Sequence, residues 1–232
     1  MVSNVLFTSP VSVENPVKVT TISLFLSILV LGFTTAPAFA DNIAIQNASF
    51  ENFNPLNLSC GACGTYNLGP IPDWTITGGE AGSWQPGPAS LTSVPDGTKV
   101  AYSNGGTISQ TLTASLLADT FYNLSVDVGH RLDGPNGYAT TFIISLFAGD
   151  ALLKSITGSN SVITMGTFAT QSLDFTSNAT VPSGNLAIVL SSVGPQSDFD
   201  NVRLTATSVP EPGSLTLLAA GLGLALFVFR RR

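Results

Sequence analysis

Alternating apolar and polar residues dominate the middle of the chain. Residues 121–131 show the pattern most clearly, with apolar even positions and polar odd ones: Tyr122, Leu124, Val126 and Val128 against Asn123, Ser125 and Asp127. A period of two predicts a β-strand with one face against a core. Residues 139–148 and 186–190 are apolar on both faces, which predicts two central strands.

Further short strands are predicted between turn residues. They fall at 43–51, 74–77, 99–103, 107–113 and 151–155, with further inward pairs at Leu173 and Phe175 and at Val202 and Leu204. The predicted turns and long loops are Gly105-Gly106, Gly149-Asp150, 53–72 and 78–95. About ten short strands in the 167 residues from 41 to 207 predict an all-β fold, an antiparallel β-sandwich of the jelly-roll type.

The N-terminus carries an apolar run at residues 22–33, followed by the small-residue sequence Ala38-Phe39-Ala40. This order predicts a secretory signal peptide over residues 1–40, cleaved between Ala40 and Asp41. The acidic lead over residues 1–16 is unusual and suggests a start codon further along the chain. An uncleaved N-terminal anchor is the alternative, although the run is short for a spanning helix.

The C-terminus has three consecutive parts. Val209-Pro210-Glu211-Pro212 precedes fifteen apolar residues, 215–229, and three arginines end the chain. At about 1.5 Å per residue the run is roughly 22 Å long, shorter than a hydrocarbon core of about 30 Å. The tripartite order resembles the PEP-CTERM sorting signal of Gram-negative bacteria, over residues 208–232. That resemblance implies a temporary inner-membrane anchor and processing by exosortase; a permanent anchor is the alternative.

Charge excludes one class of partner. Without Glu14 and Glu211 the 14 acidic residues become 12, and without Lys18 and the three terminal arginines the 8 basic residues become 4. The domain at 41–207 therefore carries about −8 at neutral pH, which argues against binding nucleic acid. Charged residues make up only 9% of the chain, so Ser, Thr, Asn and Gly must keep it soluble.

Cys60 and Cys63 are the two cysteines of the chain, in a C-x-x-C sequence. Redox chemistry or a zinc site would be the alternatives in a cytosolic protein. Here the chain is predicted to be exported, the motif opens no helix, and no second pair completes a zinc site. We therefore predict a local disulfide that closes a surface loop.

Six short motifs together resemble galactose-binding-like jelly rolls, which include carbohydrate-binding modules. They run in order along the chain: Asn47–Glu51, Ile71–Trp74, Val94–Gly97, Ile108–Leu112, Tyr122–Ser125 and Asp198–Val202. The resemblance implies a structural calcium ion on Glu51 and Asp200, with Asp198 as a further candidate. Asp200 shares the parity of Val202, so a regular strand would point its carboxylate inward, where a cation offsets the cost of burial. The alternative is that these acids lie in water or cap a turn.

The residues give little support for catalysis. His130 is the one histidine, no nucleophile elbow accompanies it, and no spacing selects a pair of carboxylates for glycoside hydrolysis. We therefore predict that the domain is not an enzyme. For a ligand, the candidates are Trp84, Tyr102, His130 and Arg131. Trp84 is expected to be exposed in a glycine-rich loop, whereas Trp74 is expected in the core.

These predictions describe a protein exported by the secretion machinery and processed by exosortase. It would reside at the cell surface or in the extracellular matrix of a Gram-negative bacterium, where it would contact exopolysaccharide. The expected function is a non-catalytic glycan-binding or structural module. A secreted hydrolase acting on extracellular polysaccharide is the alternative, and a surface protein without a small ligand is a third.

Overall fold

The computed structural model describes residues 40–53 and 57–209, together with Gly221, Gly223 and Arg230. Most of the predicted signal peptide, the Pro-Glu-Pro sequence and the predicted C-terminal span lie outside these residues. Within the described part, no helix has the length and apolar character needed to cross a membrane. Residues 40–209 belong to one compact unit.

Strands account for nearly all the regular structure in residues 40–209. The eleven strands described there are β1 (Ala40–Ile43), β2 (Leu58–Ser59), β3 (Gly64–Tyr66), β4 (Thr75–Pro86), β5 (Val100–Ser115), β6 (Thr120–His130), β7 (Thr141–Ala148), β8 (Ala151–Ser159), β9 (Thr167–Thr176), β10 (Asn185–Val193) and β11 (Ser197–Ser208). Three short 3₁₀ helices lie at Gly61–Cys63, Pro135–Tyr138 and Asn160–Val162. All pairings between these strands are antiparallel, so the predicted all-β antiparallel fold is confirmed.

The long strand β5 joins two layers. Its first residues pair with β11, which also pairs with β1 and β6, and β6 pairs with β9. Its last residues pair with β10, which continues through β7 to β8. Side chains of both layers meet in one hydrophobic core, for example Leu124 and Val126 of β6 with Ile144 of β7 and Ile188 of β10, all fully buried. The strands therefore form a sandwich around this core.

The predicted turn at Gly105-Gly106 is wrong. Both glycines lie inside β5, where a register shift makes Glu80 of β4 pair with both Asn104 and Gly105. An extra residue of this kind bends a strand without ending it. The bend lets β4 and β5 pass from one layer to the other, and it moves residues 78–86 from a predicted loop into β4.

A second irregularity, in β11, places Asp198 and Asp200 on the face opposite to the one that a regular strand would give them. Asp200 pairs with Asp127 while Arg203 pairs with Ser125, so β11 has one residue more than β6 in this interval. Asn201 takes up the extra residue in a left-handed conformation, with φ of 50°. The predicted direction of Asp200 is therefore wrong, because Val202 packs in the core whereas Asp198 and Asp200 face away from it. Its predicted burial is confirmed, since Asp200 is 0% exposed.

Candidate functional site

The site lies on the outer face of the layer that contains β11, β6 and β9. Residues directly opposite each other on neighbouring strands share a face, and one such row runs Gly82, Tyr102, Asp198, Gly129 and Phe168. A side chain at Gly129 would come within 3.1 Å of the Asp198 Cβ and would meet the Phe168 ring. The glycine therefore leaves room for Asp198 between its neighbours.

A second hydrophobic cluster packs on this outer face. It contains Trp84, Leu91, Val100 and Tyr102, with Tyr66, Val94 and Phe168 at its margin. The prediction that Trp84 is exposed is wrong, because the indole lies in β4 and is only 2% exposed. Trp74 is buried in the main core, as predicted.

A cavity of about 410 Å³ opens beside this cluster. Four aromatic side chains, two carboxylates, one guanidinium, two amides and the two cysteines line it: Cys60, Cys63, Tyr66, Glu80, Trp84, Tyr102, Asn104, Arg131, Asp133, Tyr138 and Gln196. Its size suits a small organic ligand. Cys60 and Cys63 form a disulfide in its wall.

Arg131 is held from several sides. Its guanidinium stacks between the rings of Trp84 and Tyr138, at 4.4 Å and 4.8 Å from their centroids. Its Nε and Nη2 donate to the two carboxylate oxygens of Asp133, at 2.8 Å and 2.6 Å. Because Asp133 neutralises it and two ring faces cover it, Arg131 acts as a rigid part of the wall.

Gln196 connects Arg131 to Asp198. Arg131 Nη1 donates to Gln196 Oε1 at 2.7 Å, and Gln196 Nε2 donates to Asp198 Oδ1 at 2.7 Å. Asp198 is 1% exposed, and its Oδ2 has no hydrogen-bond partner among the residues that the structure describes. Burial raises the pKa of Asp198 from 3.8 to about 7, although the Gln196 bond and the Arg131 charge oppose the shift.

Hydrogen bonds fix the aromatic walls. Trp84 Nε1 donates to the carbonyl oxygen of Cys63 at 3.0 Å, and the Tyr102 hydroxyl donates to that of Asn67 at 2.8 Å. Burial and the nearby Glu80 raise the pKa of Tyr102, so the phenol stays neutral.

Three of the four predicted ligand residues, Trp84, Tyr102 and Arg131, line this one cavity. His130 ends the inward-facing row of β6, where its ring nitrogens contact the carbonyl oxygens of Ile163 and Asn136 at 2.8 Å and 3.2 Å. Sequence reasoning missed Gln196, and it assigned Asp198 to a metal. The turn-forming Asp200-Asn201 pair was the signal that could have indicated the bulge, which turns Asp198 and Asp200 away from the core.

Two of the predicted calcium residues, Glu51 and Asp200, accept hydrogen bonds from backbone amides of the same short loop, residues 96–99. Glu51 accepts hydrogen bonds from the Thr98 and Lys99 amides and pairs with the Lys99 ammonium at 3.1 Å. Asp200 accepts from the Asp96 and Asn201 amides, and Asp198 lies behind the cavity. In the described ranges no three His, Cys, Asp or Glu side chains are grouped to hold a metal ion. Calcium stays a prediction from the sequence.

Fold and site together define a β-sandwich domain with an aromatic cavity and a buried carboxyl group behind it. The family model described as HpiC1-like, HpiC1 cyclase, matches residues 41–205. The chain therefore belongs to the HpiC1-like family. The PEP-CTERM protein-sorting motif matches residues 208–232, which confirms the predicted sorting signal. The protein is therefore exported, anchored in the membrane during sorting and processed by exosortase.

Solved structures agree with the family. The Stig cyclase Fisc from Fischerella sp. TAU is 27% identical, with a TM-score of 0.58 over 72% of this chain and 98% of that one. An apo cyclase from Fischerella sp. is 28% identical, with a TM-score of 0.59 over 75% and 98%. TmCBM61, a structure with β-1,4-galactotriose, is 15% identical with a TM-score of 0.45 over 71% and 98%, and nothing about a ligand follows from this likeness. No curated protein matches the chain.

These comparisons correct one prediction. The sequence predicts a domain that is not an enzyme, but the family is named for a cyclase, and three solved structures that are 27–28% identical to this chain are cyclases. The prediction fails because it looked for histidine and nucleophile motifs.

Proposed function

We propose that the domain is an exported cyclase-type enzyme in which Asp198 protonates an unsaturated aromatic compound bound in the cavity. The observation that carries this proposal is the placement of Asp198: a buried carboxyl group directly behind the cavity, with one oxygen that has no hydrogen-bond partner in residues 40–53 and 57–209. A buried polar atom without a partner is costly. Its retention beside a cavity supports a functional role.

The hydrogen bonds around Asp198 support the role of an acid. Arg131 can only donate, so Gln196 must turn its oxygen toward Arg131 and its amino group toward Asp198 Oδ1. Oδ1 is thus an acceptor, and the proton of the neutral acid resides on Oδ2. With a pKa of about 7, a substantial fraction of Asp198 is neutral near pH 7 and available as a general acid.

The cavity supports a flat, weakly polar substrate. Tyr66 and Tyr102 meet edge to face at 6.1 Å and supply π-electron density that stabilises a developing cation. The Fisc structure contains (3Z)-3-(1-methyl-2-pyrrolidinylidene)-3H-indole, a ligand of similar character. Gln196 lines the cavity and Asp198 does not, so the substrate must reach Oδ2 past the Gln196 side chain, whose amide stays bonded to Oδ1.

The reaction follows from these groups. Asp198 Oδ2–H protonates a carbon of a substrate alkene, and its carboxylate remains. The aromatic ring attacks the resulting cation through its π electrons and forms the new carbon–carbon bond. The ring then loses a proton, which returns to Asp198. Substrate and product are isomers, and the step needs no oxidant or reductant.

Exosortase processing would release this enzyme at the surface or into the matrix of a Gram-negative bacterium after passage through the secretion machinery. Contact with exopolysaccharide remains part of the proposal on location, and no feature of the cavity selects a glycan. The hydrolase alternative would need a pair of available carboxylates, but of the two that line the cavity, Asp133 has both oxygens bonded to Arg131, which leaves Glu80 alone.

The test is turnover of an alkenyl indole in D₂O by the mature domain. Wild-type protein is expected to give an isomer that carries one deuterium, and D198N to lose at least about 100-fold in rate, the usual share of a general acid. D200N is the matched control, because Asp200 is a buried carboxyl on the same strand face with a pKa also raised to about 7.

D200N should disturb the folded structure more than D198N does. Both Asp200 oxygens accept backbone N–H groups, whereas the free Asp198 oxygen loses no bond when it becomes an amide. An active D200N and an inactive, folded D198N would support the proposal. Equal turnover by D198N and wild type, or release of reducing sugar instead of an isomer, would refute it.

A further inference from the structure

The Cys60–Cys63 disulfide lies in the cavity wall next to Trp84. Both cysteines line the cavity. The carbonyl oxygen of Cys63 accepts two hydrogen bonds. One comes from Trp84 Nε1 in β4 at 3.0 Å, and the other from the amide of Gly87, just after β4, at 2.9 Å. The indole of Trp84 thus depends on a backbone atom of the disulfide-bonded residue itself.

The loop is seated on β4 by close backbone contacts. A Cβ at Gly64 would collide with the carbonyl oxygen of Gln85, and one at Gly87 would collide with that of Ala62. Only glycine permits this approach at either position. The loop that the disulfide closes is therefore pressed against the strand end that carries Trp84.

We propose that this disulfide is a positioning element of the cavity: it holds the Cys63 carbonyl where it fixes the plane of the Trp84 ring. The same ring covers one face of the Arg131 guanidinium at 4.4 Å. Arg131 in turn orients Gln196. The disulfide thereby acts through Trp84 on the group in front of Asp198, and reduction loosens the wall of the site.

This role differs from stabilisation. A disulfide between residues three apart closes a very short loop, and the entropic gain from a disulfide becomes smaller as the closed loop becomes shorter. We therefore expect its removal to lower the Tm of the domain by roughly 5 °C or less, while the surroundings of Trp84 change strongly.

The test uses the two tryptophans as probe and internal control. The chain has Trp74 and Trp84, and each indole N–H donates to a backbone carbonyl, Trp74 to Asn47 at 3.1 Å. Protein labelled with ¹⁵N-tryptophan is compared as wild type, as the C60S/C63S double variant, and with and without a phosphine reductant. The signal of Trp84 is assigned with W84F.

Removal or reduction of the disulfide is expected to speed solvent exchange of the Trp84 indole proton by roughly tenfold or more, with the Trp74 proton unchanged. The reductant should have no effect on C60S/C63S. S59A, which removes the side-chain acceptor of the Gly61 amide but keeps the disulfide, should behave like wild type. An unchanged Trp84 proton, or equal acceleration at both tryptophans, would overturn the inference.

This inference deepens the proposed function in that it takes the cavity as the site, but the experiment needs no substrate. Its failure and that of the proposed chemistry are therefore distinguishable. A Trp84 signal that responds in a protein without turnover would leave the positioning role intact and refute the acid role of Asp198. Turnover that depends on Asp198, together with an unchanged Trp84 signal, would support the acid role and refute the positioning role of the disulfide.

Discussion

The free energy of unfolding is expected to fall as the pH rises from about 4 to about 7. Burial raises the pKa of both Asp198 and Asp200 from 3.8 to about 7 in the folded state. Between these values the folded protein holds protons that the unfolded chain has lost, so raising the pH favours unfolding. Each carboxyl group contributes at most about 1.4 kcal/mol per pH unit, which urea titrations between pH 5 and pH 8 can measure.

Two variants and a calcium titration separate the contributions of Asp198 and Asp200 to this pH dependence of the unfolding free energy. D198N and D200N should each remove the part of the decrease in unfolding free energy that comes from one carboxyl group. If the predicted calcium ion binds Asp200, calcium chloride should lower the pKa of that residue and flatten its share, and a chelator should restore it. A stability that is constant or rises between pH 5 and pH 7 would contradict burial of these two carboxyl groups. Glu51 and Asp133, whose pKa values are lowered, act below this window.

Replacement of Gly82 by alanine should damage the domain and its cavity together. Gly82 lies opposite Tyr102 on the outer face, and an added Cβ would collide with the carbonyl oxygen of Asn67. That oxygen accepts the hydrogen bond of the Tyr102 hydroxyl. Forcing an atom into this contact should cost about 3 kcal/mol of unfolding free energy, and thermal and urea unfolding would record the loss.

Gly105→Ala is the matched control, in the same pair of strands. Gly105 has φ of 79°, and no heavy atom of the described chain lies within 4 Å of an added Cβ. Alanine should therefore cost roughly 1 kcal/mol from its backbone conformation alone. If G82A were as stable as wild type, or less damaging than G105A, the close packing of the Asn67 carbonyl against β4 would be wrong.

Much of the fold could be predicted because each strand leaves a local signal. The alternation at 121–131 marks β6 within one residue of its end, and the apolar stretch at 186–190 lies inside β10. The same reasoning gave a wrong prediction at Gly105-Gly106, because a pair of glycines permits a bulge as readily as a turn. Only the partner strand decides, and Glu80 pairs across the irregularity to keep β5 continuous.

The site was harder to predict because it depends on long-range pairing. The bulge at Asn201 moves Asp198 and Asp200 to the outer face, and an alternation count cannot detect one extra residue. Trp84 follows a glycine-rich stretch typical of a loop, yet its pairing with Val100 places it in β4. Gln196 carries no signal by itself, since its role arises from contacts with Arg131 and Asp198.

The pH dependence of turnover tests the central claim, that Asp198 is the acid of an exported cyclase-type enzyme, most directly. With wild-type protein and an alkenyl indole, the rate should be constant below about pH 6. It should fall about tenfold per unit above a pKa near 7, because the ionised carboxylate has no proton to give. A rate that stays level or increases through pH 7 in the folded wild-type protein would contradict the account.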